Sequence, residues 1–141
     1  PSLTDVDALC FWLTQVMGTL MDSVFEYLDA RHANVIHQSI QYLGTHYGEH
    51  ITLEDMAQKV YLSPSYFSRI FKKETGITFS AYLNRVRIEH SKELLRHPNI
   101  RLTDIALMVG FEDQSYFTKV FKKLTGTTPL HYRESKGGHK K

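Results

Sequence analysis

"SYFSRIFKKETG" (residues 65–76) and "SYFTKVFKKLTG" (residues 115–126) spell nearly the same twelve letters fifty residues apart in a chain of 141. Eight of the twelve positions are identical, and Ser68/Thr118, Arg69/Lys119 and Ile70/Val120 are conservative exchanges. Agreement of that extent marks one folding unit used twice. Phe67, Ile70 and Phe71 in the first copy, and Phe117, Val120, Phe121 and Leu124 in the second, recur at spacings of three and four. They predict the buried side of an amphipathic helix over 64–75 and again up to 125. Ser65, Ser68, Arg69 and Lys72 fall on the opposite side, as do Gln114, Ser115, Thr118, Lys119 and Lys122.

A shorter helix precedes each long one. Thr52-x-x-Asp55 forms a capping box ahead of Leu53, Met56, Ala57 and Val60. Leu102, Ile105, Ala106 and Val109 repeat that pattern, but Arg101 replaces the capping hydroxyl and should start its helix less securely. Pro64 suits the first turn of the longer helix, and Gly76 and Gly126 end the two long helices. Gly110 provides the backbone freedom that a tight turn demands; Tyr61, in the first copy, does not. The second turn is one residue longer. Two helices joined by a tight turn, the second with a polar outer face, predict a DNA-binding helix-turn-helix.

The expected fold is therefore all-α, with helix-turn-helix units at 53–75 and 102–125 joined by a long connecting helix at 80–97. Pro98 stops that helix. Tyr82 and Tyr132 follow the two glycines at equal distance and should close each core, and Tyr66 and Tyr116 are also expected to pack. Upstream, an amphipathic helix is expected over 1–30, with Val6, Leu9, Leu13, Val16, Leu20 and Val24 as its stripe. Ser2-x-x-Asp5 and Thr4-x-x-Asp7 are its candidate caps. Phe11, Trp12, Met17, Met21, Phe25 and Leu28 widen the apolar surface, which must bury against its own domain, a second copy or an upstream domain. "RHAN" (31–34) should break this helix, a second should run over 35–47, and Gly48 should supply a left-handed end. The polar, glycine-bearing stretch 135–141 is expected to be a disordered tail.

Charge agrees with a polyanionic partner. Residues 1–50 carry one basic and six acidic residues, a net of −5, whereas 51–141 carry sixteen basic and nine acidic, a net of +7. Composition is that of a soluble globular protein. The sequence lacks an uninterrupted apolar run of membrane-spanning length or a secretory leader, so a cytoplasmic, nucleoid-associated protein without membrane contact is expected. Cys10 alone permits no internal disulfide and is expected to pack rather than to act as a nucleophile. The eight histidines never fall in His-Glu-x-x-His order, and there is no glycine-rich phosphate loop, so neither enzyme chemistry, a metal nor a cofactor is expected. A helical-hairpin protein-interaction module is the competing class, which salt-insensitive behaviour towards DNA would reveal.

Ser65, Ser68 and Arg69, with Gln114, Ser115, Thr118 and Lys119, are expected to face base edges. Arg69 suits guanine and Gln114 adenine. Lys72, Lys73, Lys122 and Lys123 are better placed for phosphates.

"LEDMAQKVYLSPSYFSRIFKKETG", "YLNRVRIEHSKELL", "DIALMVGFEDQSYFTKVFKKLTG" and "TPLHYR" together resemble the C-terminal DNA-binding domain of the AraC/XylS family, over about residues 36–134. The resemblance implies two helix-turn-helix units in consecutive major grooves of an operator or promoter. It also implies a regulator that more often activates, through RNA polymerase, than represses. By position it carries base reading to Ser65, Ser68, Arg69, Gln114, Ser115 and Lys119. The DNA-binding domain is drawn at 31–134. Because the chain opens at Pro1, it is expected to be an excised C-terminal piece, with 1–30 a linking, coupling or dimerising element and residues 3–28 a candidate homodimer seam.

Overall fold

A computed structural model describes residues 3–137, and side chains over 5–136. Seven helices occupy the described residues: α1 (Leu3–His46), α2 (Leu53–Lys59), α3 (Pro64–Thr75), α4 (Phe79–Leu95), α5 (Leu102–Met108), α6 (Gln114–Thr125) and α7 (Pro129–Gly137). No strand occurs among them.

The capping box predicted at Thr52 is present, and caps on α3 and α6 accompany it. Thr52 Oγ1 accepts from Asp55 N at 3.0 Å while Asp55 Oδ2 accepts from Thr52 N at 3.3 Å, closing the box at α2. Ser63 caps α3 ahead of Pro64, and Asp113 caps α6, each accepting from the tyrosine N–H three residues on. Arg101 makes no side-chain cap on α5. Gly76 (φ 86°) and Gly126 (φ 84°) close α3 and α6 in the left-handed region. The second turn, Val109–Asp113, is one residue longer than Val60–Ser63, as expected.

The duplication reaches beyond the two hairpins. "IHQSIQYL" (36–43) in α1 matches "IEHSKELL" (88–95) in α4: Ile36, Ser39 and Leu43 are buried, as are Ile88, Ser91 and Leu95. Thr75 Oγ1 bonds Phe71 O at 2.8 Å and Ile77 O at 2.9 Å; Thr125 Oγ1 bonds Phe121 O and Thr127 O at 2.8 and 3.0 Å. Each unit is thus a four-helix set: the end of α1 with α2, α3 and the start of α4, then the rest of α4 with α5, α6 and α7. Helix α4 belongs to both. Phe79 and Leu83 lie in the first core with Leu43, Met56, Phe67 and Phe71. Ile88 and Leu95 lie in the second with Ile105, Val109, Phe117 and Phe121. Tyr82 and Tyr132 meet Phe71 and Phe121 edge-on at 5.5 Å, closing the cores as predicted.

Several expectations are corrected. Helix α1 runs unbroken through Arg31–Asn34, because that stretch contains neither proline nor glycine and Val35, Ile36 and Ser39 continue to bury. Gly48 does not adopt a left-handed angle; it is demanded instead by proximity, since a Cβ there would lie 2.8 Å from Met108 O. Tyr61 does take the left-handed conformation (φ 62°) at the position of Gly110, and the residue is 91% exposed. The connecting helix is 79–95 rather than 80–97: Thr78 caps its start, and Arg96 N turns back to Glu93 O. Leu124 is 45% exposed rather than buried, while Ile88 supplies a core contact the periodicity did not single out. Tyr116 packs edge-on against Phe111 at 5.8 Å, as expected, but keeps 49% of its surface exposed, and Cys10 is exposed. The expected tail is helical over 135–137, where α7 continues; 138–141 lie outside the described residues, as does the candidate cap Ser2. Thr4 lies inside α1 and so is not its cap.

The first seven turns of α1 stand away from both cores. Phe11 (67%), Trp12 (59%) and Met17 (60%) are exposed, and no side chain over 5–28 is buried. By length and composition α1 is apolar enough to cross a membrane, which the absence of an uninterrupted apolar run did not anticipate. Gln15 and Asp22 interrupt that stretch.

Phe71→Ala or Phe121→Ala, each emptying a fully buried site, should cost roughly 3–5 kcal/mol in denaturant unfolding. Two glycines should differ sharply. Gly126→Ala meets open space and only the left-handed penalty of about 1–2 kcal/mol. In Gly110→Ala the new Cβ would sit 2.5 Å from Tyr47 O and 2.6 Å from Arg87 Nε, adding overpacking of about 1–3 kcal/mol.

Candidate nucleic-acid interface

Residues four and seven apart along α3 and α6 set up the two outward faces. Phe67, Ile70 and Phe71 anchor α3; Ser65, Arg69, Lys72 and Lys73 are exposed and Ser68 is half-buried. Phe117, Val120 and Phe121 anchor α6; Ser115, Lys119, Lys122 and Lys123 are exposed, and Gln114 and Thr118 are half-buried. Every residue predicted to face a base edge or a phosphate is therefore at least partly accessible, and in each unit all of them ride on one helix. The two helices differ in charge. Helix α3 carries Glu74 beside its three cations, whereas α6 has Leu124 there and no acidic residue.

The flanks of these helices hold contacts that sequence reasoning missed. On α3, Tyr66 OH is hydrogen-bonded to His32 Nε2 of α1, and the rings meet edge-on at 5.4 Å. The Arg69 guanidinium lies 5.6 Å from the Tyr66 ring centre, which biases its direction along the helix surface. Lys73 Nζ pairs with Asp29 Oδ1 of α1 at 3.7 Å. On α6, the equivalent Tyr116 OH accepts from Asn84 Nδ2 of α4 at 3.4 Å. The 36–43/88–95 repeat, extended backwards, pairs His32 with Asn84 and Asp29 with Ala81; that signal was in the sequence, but the expected helix break at 31–34 concealed it.

Two arginines fix the frame. Arg87 Nε donates to Tyr47 O at 2.8 Å and Arg87 Nη2 to Glu49 O at 2.9 Å, capping the end of α1 from the middle of α4. Its guanidinium also lies 5.8 Å from the Phe111 ring, in the second turn. Burial pushes its pKa below the ordinary arginine value, opposed by the electrostatic influence of Tyr116. Arg133 does the same for the second unit, donating to Leu95 O (3.0 Å), His97 O (3.1 Å) and Ile100 O (2.7 Å).

Known proteins share this fold. A helix-turn-helix domain family matches residues 56–135. The regulatory protein PocR of Salmonella typhimurium is 42% identical over 103 residues, covering 73% of this chain and 34% of the relative. The lactose operon transcription activator of Staphylococcus xylosus is 31% identical over 106 residues, 72% of this chain and 38% of that protein. The chain thus spans about a third of the length of these curated relatives. Among solved structures, the C-terminal domain of AraT, a response regulator from Geobacillus stearothermophilus, superposes with a TM-score of 0.70 at 36% identity, covering 73% of this chain and 86% of the other. The DNA-binding domain of AdpA, solved with a target DNA, shares the fold (TM-score 0.66, 23% identity, covering 77% of this chain and 95% of that one).

Arg87→Ala should lower stability by about 2–4 kcal/mol in chemical denaturation. It removes two charge-assisted bonds and strands the Tyr47 carbonyl. Arg87→Lys should recover only part, because an ammonium cannot hold both carbonyls in the same fork.

Proposed function

The chain belongs to the AraC/XylS family of helix-turn-helix transcriptional regulators, and we propose that it reads double-stranded DNA with its two units seated in adjacent major grooves. The family is one of DNA-binding regulators and not of enzymes. The observation that carries the finer reading is the duplicated polar face: Ser65, Ser68 and Arg69 on α3, and Gln114, Ser115, Thr118 and Lys119 on α6, each face backed by three buried aromatic or aliphatic anchors. These residues meet base edges. Lys72, Lys73, Lys122 and Lys123 meet phosphates. The DNA-binding domain is 31–134, and 1–30 is a coupling or dimerising element. Activation is favoured over repression because two relatives, the lactose operon transcription activator and the transcriptional activator RhaS, are activators; RNA polymerase is the partner proposed for it, in a cytoplasmic, nucleoid-associated setting. A homodimer through residues 3–28 accounts for the exposed apolar surface of α1.

A duplex selected from a random library should bind with a steep inverse dependence on salt. Arg69→Ala should weaken binding by ~1–3 kcal/mol and relax sequence preference at one position, whereas Lys122→Ala should weaken all sequences alike and flatten the salt slope by about one. Unchanged affinity in both variants would remove the assignment. The 17-residue α4 spans only ~25 Å, less than the ~34 Å between successive major-groove faces, so the bound duplex should bend. Circularly permuted fragments should migrate anomalously.

For the dimer, light scattering should give twice the chain mass, reverting to one mass on Leu13→Glu. A monomer at every concentration excludes the seam, and flotation with lipid vesicles would assign the surface to a membrane instead.

A further inference from the structure

Aligned through the internal repeat, the flanks of the two recognition helices differ in what faces the last lysine. In the first unit a tyrosine (Tyr66), a polar residue from the supporting helix (His32) and a lysine (Lys73) stand together, and Asp29 occupies the lysine. In the second unit Tyr116, Asn84 and Lys123 are the counterparts, but Ala81 stands where Asp29 would be. Among the described residues no carboxylate pairs with Lys123. Instead Ala81, Asn84, Tyr116, Lys119, Lys123 and Leu124 line an open hollow between α4 and α6. It offers an amide donor, a phenolic hydroxyl and the Lys123 ammonium above a small apolar floor, with Lys119 on its rim.

We propose that this hollow seats a backbone phosphate of bound DNA, and that the equivalent seat beside α3 is closed by the protein's own Asp29. The inference rests on the DNA reading above and deepens it, adding Asn84 and Tyr116 to the contact set and making Asp29 a competitor for the site of Lys73. Three observations support it. The first unit shows what such a seat takes, a carboxylate against its lysine at 3.7 Å. Next, the Asn84–Tyr116 bond, at 3.4 Å, is long and solvent-exposed, so Asn84 Nδ2 and the Tyr116 hydroxyl hydrogen can both turn towards an anion. Finally, Ala81 and Leu124 offer the apolar surface that a deoxyribose beside the phosphate would cover. A phosphodiester with its sugar matches this mixture better than a bare anion does. The two units then grip unequally: the second holds the duplex with an open seat, and the first does so only as α1 releases Lys73.

The test is fluorescence anisotropy with the full chain and a duplex selected by it from a random library, over a salt series. Asn84→Asp puts a charge in the seat without changing its shape, and Asn99→Asp makes the same change in the exposed α4–α5 connection as a control. The expected result is a ~10-fold or greater loss for Asn84→Asp against less than ~2-fold for Asn99→Asp. Tyr116→Phe should lose ~2–5-fold with the salt slope unchanged. Asp29→Ala should tighten binding ~2–5-fold and steepen the salt slope by up to one. Circular dichroism melting of each variant separates binding loss from unfolding. Wild-type binding with Asn84→Asp no worse than Asn99→Asp overturns the seat while leaving the DNA reading intact; absence of salt-dependent binding by the wild type removes both.

Discussion

One helix has to satisfy two cores at once, and that constraint organises the molecule. Helix α4 places Phe79 and Leu83 in the first core and Ile88 and Leu95 in the second, so its twist and length set the relation between the units. A rigid element of this kind costs nothing further in ordering once either core has formed, because both sets of contacts lie on one continuous hydrogen-bonded rod. Arg87, at its middle, closes the remaining freedom by holding the end of α1 and lying against the second turn. Gly110 leaves the space in which that guanidinium fits.

The two outward faces are similar in plan and unequal in electrostatics. Exchange of Glu74 for Leu124, and of Asp29 for Ala81, makes α6 and its flank more positive than α3 and its flank, although Glu112 and Asp113 in the second turn leave the two units with equal net charge. Duplication followed by divergence at a few exposed positions accounts for this. The buried Phe67/Phe117 and Phe71/Phe121 pairs have little room to change, while residues on the rim are free to do so.

Helix identities, turn positions and core aromatics were legible because they follow from periodicity and caps: Thr52-x-x-Asp55, Pro64, Gly76 and Gly126 each behave as their chemistry requires. Three kinds of feature were not. Close approach is invisible to propensity: the spacing around Gly48 suggests a left-handed helix end, whereas the neighbouring Met108 carbonyl is what excludes a side chain there. Local strain can be overridden by tertiary packing: Leu62 N bonding Ala57 O at 2.9 Å holds Tyr61 in a conformation its side chain disfavours. A weak break signal can lose to burial on both sides, as at Arg31–Asn34, and mistaking it hid the counterparts Asp29/Ala81 and His32/Asn84. Of the candidate interface, the outward residues of α3 and α6 were legible from spacing alone, whereas their flanking partners lie on other helices and were legible only through the 36–43/88–95 repeat.

The unbroken passage of α1 through residues 31–34 has a mechanical corollary. With no hinge, whatever holds residues 3–28 is phased to the first unit by helical pitch, so that one inserted residue turns it by roughly 100° around the axis whereas seven return it to within about 20° of its starting azimuth. Anything joined through this shaft is therefore constrained by angle as much as by distance, and length changes in multiples near a heptad are the ones such an assembly can absorb.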